Sequence, residues 1–262
     1  MDARKEKFDI IIQGGQSNSE GTGRGPVDEA WTPSTKYMYL QANKTVQTLE
    51  DGIHVEYADE PFAITVADER EIQGETVGDF SLTFAKAYDE AGLLQDGRKL
   101  LIIRAAVGGT GFMKGHWGLQ DILFLKMLEL TDYALSLNPE NTIVGFLWHQ
   151  GEHDAFEKNE PSVYKGQLAT MLQTVRARYG NMPFIAGDFC NEWKGKNLDI
   201  CEPIIKVIRE VIAEEGNAGF VETADLPSNN QKHGNGDDIH FCRQSLRELG
   251  RRYFKVYQDL RK

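Results

Sequence analysis

The sequence predicts an α/β fold: a three-layer α/β/α sandwich built on a mostly parallel central sheet of about five strands. Three observations lead there. Short apolar runs rich in β-branched residues recur along the 262-residue chain. Stretches with helical spacing and crossover length follow them, and the runs end in glycine or polar clusters. No repeat or low-complexity segment interrupts the alternation, so one domain spanning residues 1–262 is expected.

The first strand is FDIII, Phe8 to Ile12, which runs into Gly14, Gly15, Gln16, Ser17 and Asn18. KYMYLQANKTVQTLEDGIHVEYADEP mixes short β-like runs with turn residues and reads as irregular strands or an excursion from the main sheet. GDFSLTFAKAYDEAGL reads as a helix with Leu82, Phe84, Ala85 and Tyr88 turned toward the core. KLLIIRAAVGG is the second strand, and LQDILFLKMLELTDYALSL is a helix with Pro139 just beyond its end. The third strand, within NTIVGFLWHQGEHD, leads into a polar cluster. PSVYKGQLATMLQTVRARYG is a helix with Pro161 at its start and Gly180 just past its end. MPFIAGDF, CEPIIKVIREVIAEEG, NAGFVETADL and RQSLRELGRRYFKVYQDLRK complete the alternation as strand, helix, strand and closing helix.

Bulk properties exclude several function classes. The formal net charge is -11 and the cations are dispersed among acids, which disfavours nucleic acid and anionic membranes as partners. The three cysteines, Cys190, Cys201 and Cys242, have no CxxC spacing, so neither a disulfide framework nor a zinc knuckle is indicated. The N-terminal stretch is too charged for a signal peptide, and no later run is long enough to span a bilayer. The expectation is a cytoplasmic protein without a cofactor, a leader already removed leaving no trace.

In a parallel sheet the strand ends share one edge, where ligands bind. The polar clusters GGQSN, AVGGTGF and WHQGEHD follow the first three strands, and GNGDDIHF lies before the last helix. Together they contain the parts of an acyl-transfer site. Ser17 is a candidate nucleophile, and it needs a base. His240 fits, because Asp237, three residues earlier, can fix the imidazole tautomer and stabilise its cation. An oxyanion hole is then available from the backbone N–H groups of Ser17 and Gly109 and the side-chain amide of Gln150.

The ordered blocks GQSN, GGT, WHQGEHD and DDIHF resemble those of SGNH hydrolases, and within them the carbohydrate esterases that include acetylxylan esterases and the sialate O-acetylesterase-like group. The resemblance implies a flavodoxin-like α/β/α fold and a serine esterase that removes acetyl groups from xylan-type or sialic-acid-type sugars through an acyl-enzyme. It implies Ser17 as nucleophile, His240 as base, Asp237 as its acid, and Gly109 and Gln150 as oxyanion donors. Gln150 stands where many SGNH enzymes carry asparagine. Two assignments stay open: Gly108 in place of Gly109, and Glu152 in place of Asp237.

Competing readings use the same residues. His149 and His153 match an H-x-x-E-H zinc pattern, but that pattern needs a continuous helix, and Gly151 and the preceding β-like run oppose one. A general short-chain esterase, or a sugar-binding protein without turnover, would keep the same scaffold. Trp31, Trp117 and Trp193 are candidate sugar platforms in or near loops, Trp117 being the one chosen for the substrate site. The expected partner is an acetylated carbohydrate, and the oligomeric state is left open.

Overall fold

The computed structural model describes residues 2–262. β1 (Lys7–Gly15) is buried on both faces, because successive side chains point to opposite sides: Ile10 and Ile12 enter one core and Ile11 the other. A four-residue helix α1 (Ser17–Glu20) and a long loop lead to β2 (Tyr37–Gln41). β3 (Lys44–Leu49) and β4 (Gly52–Tyr57) form a separate hairpin, β5 (Ala63–Val66) returns to the main sheet, and β6 (Arg70–Ile72) pairs with β7 (Glu75–Val77).

From there the chain alternates. α2 (Phe80–Glu90), β8 (Arg98–Arg104), α3 (Ile122–Leu137) and β9 (Thr142–His149) are followed by α4 (Glu152–Phe156), α5 (Pro161–Tyr179) and β10 (Phe184–Gly187). α6 (Asn191–Lys196), α7 (Leu198–Glu215), β11 (Ala218–Val221) and α8 (Arg243–Asp259) complete it. The main sheet runs β11-β10-β9-β1-β8-β2-β5, parallel throughout except for the β2–β5 edge. α3, α5 and α7 contribute to the core on one face, α2 and α8 to the core on the other. Leu82, Phe84, Ala85 and Tyr88 are all buried in the second core. Among the described residues, no helix is long and apolar enough to cross a membrane.

The sheet has seven strands where the sequence predicts about five. The additional two come from β2 and β5, whose pairing extends the sheet beyond β8. β2 lies in the stretch read as irregular strands or an excursion from the main sheet, and its place beside β8 is a pairing that its own residues do not specify. α7 begins at Leu198, three residues before the stretch read as helical, and accommodates Pro203 in its second turn.

β9, β1 and β8 are neighbours, so their carboxyl ends lie side by side. The pairing continues past the strands: Gln16 N–H donates to His149 O (3.0 Å) and Val107 N–H to Gly15 O (3.1 Å). Gly15 is required there, since its φ is +125° and a Cβ would stand 2.1 Å from His149 O.

Candidate active site

Ser17 begins α1, directly after the tight turn out of β1. Its Oγ lies 2.7 Å from His240 Nε2, across 223 residues of chain. His240 Nδ1 is 2.5 Å from Asp237 Oδ2. An ionised carboxylate only accepts, so Nδ1 carries the proton and Nε2 is free to accept from the serine hydroxyl. Asp237 Oδ1 also accepts the backbone N–H groups of Ile239 and His240, which fixes the loop around the ring. Burial pushes the Asp237 carboxyl up, but the His240 hydrogen bond and charge and these N–H groups outweigh it, and its pKa lies below the usual value. Asp238 points away and pairs with Lys196 at 2.8 Å.

The acceptor side differs from the sequence reading. Gly109 lines the same cavity as Ser17, and no hydrogen bond among the described residues takes its N–H or that of Ser17. The Gly108 N–H is already taken by Glu20 Oε2 (2.8 Å). Gln150 is a correction. Its amide is buried, with Nε2 2.6 Å from Asp154 Oδ2 and further contacts to Gln16 Oε1 and Thr110 O, and it does not line the cavity. Gln16, one residue before the serine, lines it instead. Gln16 Oε1 accepts from His153 N–H (3.1 Å), Gln150 Nε2 (3.2 Å) and, at a longer 3.4 Å, Gly151 N–H. Backbone N–H groups only donate, so the amide cannot be turned round, and its NH2 end is left for the cavity. The GQSN block contained this residue, but nothing in its spacing tells a turn residue from a cavity-lining donor.

Residues 7–259 match the family described as carbohydrate esterase, sialic acid-specific acetylesterase. The chain belongs to that family. This acetylesterase is therefore a carbohydrate esterase, a carboxylic ester hydrolase acting on acetyl esters of sugars. No curated protein matches it in sequence. Among solved structures it is similar to NanS, with a TM-score of 0.73 and 18% identity over 97% of this chain and 98% of that one. A protein from Arabidopsis thaliana gives 0.66 and 20% over 96% and 98%. A family 3 carbohydrate esterase from Clostridium thermocellum gives 0.52 and 12% over 97% and 98%. At these identities the likeness is one of fold.

Within the acetylesterase, the cavity holding Ser17 and His240 has a volume of about 350 Å³ and a largely apolar wall that includes Ile239 and Phe156. Glu152 reaches it but does not bond to His240. It is fully buried, accepts from Asn18 Nδ2 at 2.8 Å, and lies 3.7 Å from His149 Nε2. Burial raises the Glu152 pKa, with the Asn18 hydrogen bond only partly offsetting it. Asn18 also binds Ile239 O and Phe241 N–H, and so ties α1 to the His240 loop. His149 ends β9, with Nδ1 on Tyr253 Oη, while His153 lies on α4 beyond Gly151 at φ +141°. The two rings do not share the helix face that the H-x-x-E-H geometry requires.

The aromatic expectation is also corrected. Trp117 is wholly buried, with its ring edge-on to Trp148 and its N–H on Thr110 Oγ1. Trp193 is buried against Phe189. Trp31 borders a separate cavity of about 460 Å³ that contains neither Ser17 nor His240. The exposed ring at the site is Phe156, at 67% relative exposure.

Proposed function

We propose that this acetylesterase removes O-acetyl groups from a sialic-acid-type sugar through an acetyl-Ser17 intermediate. The observation that carries the mechanism is the unbroken hydrogen-bond chain Ser17–His240–Asp237 at the cavity wall. Ser17 Oγ attacks the acetyl carbonyl as His240 Nε2 takes its proton, and Asp237 stabilises the imidazolium. The Ser17 and Gly109 N–H groups and the Gln16 NH2 supply donors to the oxyanion. Collapse expels the sugar oxygen, which receives the proton from His240. Water then attacks the acetyl-enzyme by the same route in reverse roles, releasing acetate and restoring Ser17.

The family description supports the sialic-acid class over xylan. The test has two arms. Ser17→Ala should abolish turnover of an aryl acetate, and a fluorophosphonate should label the wild type at Ser17 in one-to-one stoichiometry; retained activity in Ser17→Ala overturns the mechanism. Higher kcat/KM on acetylated xylan oligomers than on O-acetyl sialic acid overturns the substrate class.

A further inference from the structure

Glu20 ends α1, three residues after Ser17 and outside the proton relay. Its two carboxylate oxygens face different donors. Oε2 accepts the Gly108 N–H at 2.8 Å, and Oε1 lies 3.2 Å from Lys44 Nζ and 3.7 Å from Arg70 Nη1. Lys44 Nζ also donates to Ala106 O at 3.0 Å, so one ammonium holds both the carboxylate and the segment that follows β8. The Glu20 backbone carbonyl is fixed as well, accepting from Arg104 Nη2 (2.5 Å) and Arg70 Nη2 (2.9 Å). Gly108 sits so close to the nucleophile that a Cβ built on it would stand 3.4 Å from the Ser17 Cβ.

We propose that Glu20, clamped by Lys44, is a positioning residue for the oxyanion hole: it takes the Gly108 N–H and thereby holds the Gly108–Gly109 segment with the Gly109 N–H left for the acyl oxygen. This rests on the reading that Gly109 donates to the oxyanion. Without the carboxylate, the Gly108 N–H has no acceptor there, and the two glycines, which tolerate many backbone conformations, lose the contact that fixes the direction of their N–H groups. Burial alone would raise the Glu20 pKa, but Lys44, Arg70, the Gly108 N–H and Arg104 outweigh it, and the group is held ionised.

The acceptor pattern makes a sharp test. A carboxylate accepts on both oxygens, whereas an isosteric amide must turn its NH2 toward one of two donors, the Gly108 N–H or the Lys44 ammonium. Glu20→Gln should therefore lower kcat on an aryl acetate about 10–10²-fold with KM held within about twofold, since the interaction matters when oxyanion charge develops. Glu20→Asp, which keeps the charge but withdraws it by one methylene, provides a second variant and should also lose kcat at unchanged KM. Wild-type kcat in both Glu20 variants, or a loss that appears in KM with kcat unchanged, overturns the proposal. Ser17→Ala separates the two levels: residual turnover there would remove the reaction scheme, while an inactive Ser17→Ala beside a fully active Glu20→Gln would remove only the role of Glu20.

Discussion

Replacing Gln16 by glutamate changes a single group at the cavity wall, NH2 to O. The oxygen that accepts from His153 N–H and Gln150 Nε2 can stay in place, so the packing behind the site is retained. What is lost is one donor to the oxyanion, about 3–4 kcal/mol of transition-state stabilisation or 10²–10³ in kcat, and above the ordinary glutamate pKa of about 4.3 a carboxylate stands in its place and adds repulsion. Gln16→Ala removes donor and acceptor together. The His153 N–H is then stranded, while the Gln150 amide keeps Asp154 and Thr110; this costs about 1–3 kcal/mol in stability and lowers Tm by roughly 2–4 °C per kcal/mol. Gln150→Ala should do the reverse of Gln16→Glu, lowering Tm by loss of the Asp154 and Tyr164 hydrogen bonds while leaving kcat within about threefold. Initial rates on an aryl acetate, normalised to active sites titrated with a phosphonate, and a melting curve for each variant separate the effects. Wild-type kcat in Gln16→Glu, or a 100-fold loss in Gln150→Ala with Gln16→Glu unaffected, would refute this reading of the hole.

Asp237→Asn should lower kcat by several orders of magnitude, about 10⁴ where such an acid fixes the tautomer, and Glu152→Gln or Asp238→Asn should be far milder. A larger loss in Glu152→Gln, with the fold intact by circular dichroism, would move the acid. Phe156→Ala should raise KM for an acetylated sugar about fivefold, from about 1 kcal/mol of lost ring contact, and leave ethyl acetate unaffected; equal changes on both esters would exclude a sugar platform. Burial holds the His149 pKa down at about 3, so below its ordinary value the unfolded chain binds a proton that the folded chain refuses. Stability is then full above about pH 6.5 and falls by up to about 1.4 kcal/mol per unit as pH drops toward 3. Relative to wild type, His149→Gln should gain in Tm between neutral pH and about pH 5, and a pH-independent difference would contradict a neutral buried His149.

Much of this was legible in the sequence because burial leaves a local imprint. Ile10, Ile11 and Ile12 alternate between two cores, and an uninterrupted apolar run is the only pattern that satisfies both. Leu82, Phe84 and Tyr88 on α2 leave a different imprint, helical spacing toward one core, and glycine at position 15 marks a place where the backbone itself forbids a side chain. Asp237 and His240 belong to one short loop, so their contact was also a matter of spacing. Other decisions required elements far apart in the chain. β2 and β5 became sheet strands by pairing beyond β8, which their own residues do not specify. Trp117 is buried where the sequence offered it as a sugar platform, because a ring's exposure depends on what packs over it, and Trp148 edge-on to Trp117 is a neighbour supplied by β9. Gln16 and Gln150 are chemically identical side chains near adjacent strand ends. What distinguishes them is that Asp154 engages the NH2 of one, while the N–H of His153 engages the oxygen of the other. Hydrogen-bond partners are set by packing between remote segments, and the direction in which an amide presents its donor is fixed only when those partners are in place.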